Sequence, residues 1–132
     1  MDCCNDRKTY ENQKFGIPYA EIKCLLMFRG ERYLTVKTLA ERLDVAKSRV
    51  TKIIKGLISK GLVEKIEDPR DNRVKLLSIT SKGKKKISEI ELFQLDIHRR
   101  LISHIKPEDR ANLFFYLEKL IESMQMVREE LV

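Results

Sequence analysis

The sequence predicts an α+β fold, mostly helical, with a winged helix-turn-helix at its centre and long helices at its ends. Three observations carry that reading. Two amphipathic helical stretches flank a short turn at Asp44-Val45. Directly after the second, the apolar period drops from 3.6 to about 2 in two runs separated by a tip dense in turn formers. A 3.5-residue apolar repeat then closes the chain.

Residues 1 to 18 are polar, and Gly16-Ile17-Pro18 breaks the short helix expected over Asp6 to Phe15. From Tyr19, Ile22, Leu25, Leu26 and Phe28 recur at helical spacing until Gly30 stops them. Tyr33-Leu34 reads as a short extended piece. Thr35 is a good N-cap for the next helix, whose buried stripe is Val36, Leu39, Ala40 and Leu43. The following helix runs from about Ala46 to Lys60, with Val50, Ile53, Ile54, Leu57 and Ile58 on one continuous apolar face. Gly61 closes it at C′. Leu62 to Glu67 and Val74 to Ile79 are the two expected strands, joined through Asp68-Pro69-Arg70-Asp71-Asn72-Arg73 as a hairpin with a charged tip.

Thr80 is a second N-cap, and a helix follows it to about His104, with Ile87, Ile90, Ile97, Leu101 and Ile105 along one face. Its 24 residues would reach about 36 Å, longer than a compact domain of this size needs. Pro107 suits the first position of a last helix, with Glu108 and Asp109 in its first turn. In that helix Leu113, Leu117, Leu120, Met124, Val127 and Leu131 form a heptad seam, widened by Phe114 and Ile121. A seam of this kind, with Ile97 and Leu101 before it, is the expected dimer interface.

Composition narrows the classes. The chain has 132 residues, enough for one domain, and a formal net charge of +7. The segment from Gly30 to Lys86 holds 16 Lys and Arg against 7 Asp and Glu, whereas the rest is slightly acidic. The excess is thus confined to the winged segment, which favours a polyanionic partner. No apolar run approaches the roughly 18 residues a membrane span needs, and no apolar leader follows Met1. No membrane partner is expected. Three cysteines with no export signal read as reduced thiols of a cytoplasmic protein.

The chemistry follows from the pattern. A major groove about 12 Å wide admits one helix, whose outward side chains must meet base edges. Ser48, Thr51 and Lys52, with Arg49 beside them, occupy that position, while Lys47, Lys55 and Lys75 suit phosphates and Thr35, at the entrance to the preceding helix, is a further expected DNA contact. At the hairpin tip, Arg70 and Arg73 can reach an adjacent minor groove, and Asp71 between them can hold an arginine by a bidentate pair. No nucleophile–base pair, phosphate loop or metal-ligand cluster stands out, so neither enzymatic activity nor a cofactor is expected.

Four blocks carry a resemblance: Leu39-Ala40-Glu41-Arg42-Leu43, Gly61-Leu62-Val63, the Asp68-x-Arg70-Asp71-x-Arg73 wing, and Ile79-Thr80-x-x-Gly83. Their spacing resembles that of the multiple antibiotic resistance regulator (MarR) family. The resemblance implies a homodimeric transcription regulator, most often a ligand-relieved repressor on a pseudo-palindromic operator. It assigns 19–83 to the DNA-binding region and 1–18 with 84–132 to dimerisation, within one domain over 1–132. It also implies that Arg73 enters the minor groove with Asp71 orienting the wing arginines, and that a small-molecule effector is a partner. Two departures stand out. Ala46 replaces the hydroxyl that many members place before the recognition helix, so Asp44 or a later residue must cap it. The segment before Tyr19 is also short, leaving more of the interface to the C-terminal heptads.

Two other functions compete. One is a redox- or metal-responsive regulator of the same fold. Cys3-Cys4 would sense oxidants there, or His98 and His104 would hold a metal, although these histidines lie roughly 120° off a common face. Cys24, on an apolar stripe, reads as core. The other is a basic architectural protein binding DNA without sequence preference.

Overall fold

A computed structural model describes residues 3–132 apart from 69, 72 and 74, with no side chains for 3–5. The thiols of Cys3 and Cys4, and Val74, the expected first residue of the second strand, lie outside the described residues. The chain forms α1 (Cys3–Phe15), α2 (Tyr19–Leu26), α3 (Val36–Leu43), α4 (Lys47–Ser59), β1 (Val63–Glu67), β2 (Lys75–Ile79), α5 (Ser81–Ser103) and α6 (Pro107–Glu130). It divides into two compact units, Met1–Glu91 and Leu92–Val132, with α5 contributing to both.

In the first unit, α1 starts three residues before the expected Asp6 and ends at Gly16, whose φ of 63° suits a residue without Cβ. The core gathers Ile22 and Leu25 of α2, Phe28 in the turn after it, Leu39 of α3, Val50, Ile54 and Leu57 of α4, Leu77 of β2, and Ile87 and Ile90 of α5. Each large apolar side chain buried in this way contributes about 1.5–3 kcal/mol. Thr35 caps α3 as expected, its Oγ1 accepting from the Thr38 N–H at 3.1 Å. Leu34, in the short extended piece, exchanges two backbone hydrogen bonds with Leu77, at 2.9 and 2.7 Å, and so adds a one-residue bridge to β2 of the hairpin.

The exit of α4 departs by one residue from the expected strand start. Gly61, at φ 73°, donates to Ile58 O at 2.9 Å, and Leu62 N–H donates to Leu57 O at 3.0 Å. This is a Schellman closure, with Leu57 and Leu62 both buried beside it. Leu62 is therefore committed to the helix end, and β1 begins at Val63. The two strands pair antiparallel from Val63↔Ile79 to Glu67↔Lys75.

Thr80 then joins the hairpin to α5. Its Oγ1 donates to Gly61 O at 2.6 Å and accepts from Gly83 N–H at 3.0 Å. Any Cβ at position 83 would run into the Leu62 carbonyl, so the first turn of α5 rests directly on the backbone leaving α4.

The second unit comprises the end of α5, a turn through His104 to Lys106, and α6, with Pro107 at its start as expected. No residue of α6 is buried within the chain, and its heptad positions Leu113, Leu117, Leu120, Met124, Val127 and Leu131 are all exposed. Among the described residues, no helix is long and apolar enough to cross a membrane.

Cys24 is fully buried in the core of the first unit, as its stripe predicts. Burial, with the Glu21 charge second, pushes its thiol up from the ordinary 9.0 to about 12. A protonated, enclosed thiol is a poor nucleophile. Iodoacetamide at about pH 8 should leave Cys24 unmodified in the native protein and alkylate it in denaturant, as peptide mapping would show. Because the folded value lies above the unfolded one, this group's contribution to stability is present below pH 9.0 and falls as the pH rises toward about 12.

Thr80→Ala removes the α5 cap and the tie to Gly61. It should cost about 1–2 kcal/mol, read as a lower urea midpoint at unchanged slope.

Candidate nucleic-acid interface

The apolar face of α4 determines what the helix shows to solvent. Val50, Ile54 and Leu57 are fully buried. At about 100° per residue, their burial turns Ser48, Lys52 and Lys55 outward, and all three are exposed, as are Lys47 and Arg49. Thr51 differs from its neighbours. It is half-buried, and its Oγ1 donates to Lys47 O at 2.9 Å, so its hydroxyl proton is spent on the helix and only a lone pair remains for a base edge.

The turn before α4 corrects one expectation. Asp44 does not cap α4; it is the C-cap of α3, in the left-handed region at φ 54° and ψ 50°. Asp44 N–H and Val45 N–H donate to Glu41 O and Ala40 O, closing the earlier helix. Ala46 occupies the N-cap of α4 with no side-chain hydrogen bond. Asp tolerates the left-handed conformation a three-residue turn demands, and that use takes it away from the next helix.

At the wing, Asp68 Oδ1 accepts from Arg70 N–H at 2.8 Å. One oxygen of Asp71 accepts both from Arg73 N–H at 3.0 Å and from Arg73 Nε at 3.2 Å. The expected bidentate pair is thus replaced by a shared oxygen. Among the described residues it meets Arg73 and not Arg70. The Arg73 side chain nevertheless stays 92% exposed. In water such a pair adds little to stability, and its effect is directional, since it fixes the start of a long cation whose far end is free. Arg70 is exposed, and Lys75 projects from the first position of β2. Thr35 is half-buried, and its hydroxyl is engaged with Thr38.

Two features at the exit end of α4 escape the sequence reading. Gly56 lies in mid-helix, and Lys60 Nζ donates to both oxygens of the nearly buried Glu21 on α2, at 3.1 and 2.8 Å. The available signal was the glycine itself, since an interior helical glycine often marks a close approach. Among the described residues, no group of three His, Cys, Asp or Glu is placed to hold a metal, and His98 and His104 are both exposed.

A family model described as the MarR family matches residues 15–73. The HTH-type transcriptional repressor MdtR of Bacillus subtilis (strain 168) is 27% identical over 113 residues, covering 86% of this chain and 73% of the relative. The reduced form of MarR from E. coli superposes with a TM-score of 0.72 at 27% identity, over 86% of this chain and 83% of that one. Streptococcus pneumoniae FabT in complex with DNA shares the fold at a TM-score of 0.81 and 20% identity, over 96% and 92% of the two chains. The chain spans 64% to 74% of the length of the first curated relatives it matches.

Proposed function

Because the chain belongs to the MarR family of winged helix-turn-helix transcriptional regulators, we propose that it binds double-stranded DNA as a homodimer and represses transcription from a pseudo-palindromic operator. The observation that carries the reading is that a polar row on α4 and a wing arginine of the same unit are both open to solvent. Ser48, Lys52 and Lys55 are exposed on α4, and the Arg73 side chain on the wing is 92% exposed beside its contact with Asp71. In this reading Ser48, Thr51 and Lys52, with Arg49 beside them, read base edges in a major groove. Arg73, with Arg70 beside it on the wing, reads the width and potential of the adjoining minor groove, while Lys47, Lys55 and Lys75 meet phosphates. Such a protein works where the DNA is, in the cytoplasm.

The heptad face of α6 supports the dimer. An apolar seam that finds no cover within its own chain is unstable in water and fits a second copy of itself. An open cleft of about 550 Å³ lined by Phe28, Arg29, Arg32, Ile79, Lys84 and Ile87 is of a size for a small organic effector.

Leu117→Glu or Leu120→Glu places a charge in that seam, and light scattering should show the dimer lost together with its cooperative unfolding. A folded, monodisperse monomer of the unmodified protein would count against the whole arrangement.

Selection from random duplexes should return an inverted repeat with half-site centres roughly 10 bp apart. Against that duplex, Arg73→Ala should lose about 10- to 100-fold in affinity and flatten the preference at the A·T flanks, leaving the core preference intact. Lys55→Ala should weaken binding evenly and lower the salt slope by about one unit. Equal losses at flank and core for Arg73→Ala would remove the minor-groove role. Selection that enriches no sequence would leave a non-specific DNA binder.

A further inference from the structure

Helix propensity disfavours a glycine in the middle of a recognition helix, and Gly56 has a packing reason to be there. A Cβ at position 56 would collide with the Glu21 carboxylate, which reaches across from α2 and lies against the α4 backbone. Both oxygens of that carboxylate accept from Lys60 Nζ. Lys60 is the C-cap of α4, and its own carbonyl accepts from Lys82 Nζ of α5 at 3.0 Å. The exit end of α4 is therefore gripped from α2 through a partly buried ion pair and from α5 through a lysine.

The apolar face alone would hold α4 less specifically. Val50, Ile54 and Leu57 resist withdrawal into water, but dispersion contacts are weakly directional and permit small rotations. A rotation of about 20° would carry a side-chain tip some 6 Å from the helix axis through roughly 2 Å, enough to break a hydrogen bond to a base edge. A carboxylate seated against a residue without Cβ, and held by an ammonium on the same helix, admits one rotation only. With its charge paired to Lys60, Glu21 also brings no net negative charge to the face that would approach phosphates.

We propose that Glu21, acting through Gly56 and Lys60, is a positioning residue for DNA recognition: it fixes the rotation of α4 at which Ser48, Thr51 and Lys52 meet base edges together. The proposal rests on the DNA-binding reading above and assigns Glu21 no contact with DNA.

The test uses the full chain, a duplex enriched from random sequence by the unmodified protein, and an unrelated duplex of equal length. Glu21→Ala and Lys60→Met should each lower affinity for the enriched duplex by about tenfold and leave the unrelated duplex within about twofold. Lys60→Arg, which keeps the ion pair, should bind both as the unmodified protein does. Gly56→Ala should lower both Tm and the affinity ratio in the unmodified background. In the Glu21→Ala background it should raise Tm, because alanine favours the helix once the carboxylate is gone. Equal losses on both duplexes would make these residues phosphate contacts or simple stabilisers and overturn the proposal, as would an unchanged affinity ratio. A Gly56→Ala that is equally harmful in both backgrounds would overturn the clamp itself. If the unmodified protein enriches no duplex, the DNA-recognition reading fails, while the reversal in Tm still reports separately on the clamp.

Discussion

The buried face of α4 is the constraint on which the candidate interface depends. Val50, Ile54 and Leu57 are withdrawn from water against α2 and α3, and a helix with that face inward has only one set of residues left to present outward. The polar row at Ser48, Lys52 and Lys55 is thus a consequence of core packing. Exposing the apolar face would forfeit several kcal/mol, far more than any single surface ion pair returns.

The wing inherits its position from the same helix. The Schellman closure at Gly61-Leu62 ends α4 and sets the direction in which β1 departs. Thr80 then brings the returning strand back to Gly61, and the glycine at 83 lets α5 sit on the Leu62 carbonyl. Three short-range devices, a left-handed glycine, a threonine cap and a close backbone approach, therefore hold helix exit, hairpin base and α5 entry at one point. At the tip beyond this junction Asp71 holds the start of Arg73 while leaving the side chain largely in water.

Unit Leu92–Val132 follows a different logic. Within the first unit apolar residues meet a core contributed by the same chain, whereas every heptad position of α6 stays exposed. The repeat of 3.5 residues is the period of a seam between helices, and 3.6 is that of a face laid on a globular core. The two units of the chain thus carry two kinds of apolar pattern, one buried within the chain and one exposed.

Local physics made most of the architecture legible in the sequence. Periodicity marked the buried stripes of α3 and α4, the change to a period near 2 marked the hairpin, and the threonines at 35 and 80 announced caps that both form. These features depend on residues within a turn or two of one another, so the order of residues alone determines them. The polar row of α4 and the exposed wing arginine were legible for the same reason. Tertiary structure decided what depended on distant partners or on competition for one group. Asp44 was spent on the left-handed end of α3 and not on capping α4. The Thr51 hydroxyl turned back to its own helix. Glu21 met Gly56 and Lys60 from 39 positions away in sequence from the lysine. Spacing carries no sign of that last contact, because only packing α2 against α4 brings a carboxylate to the one position of α4 with no Cβ to exclude it.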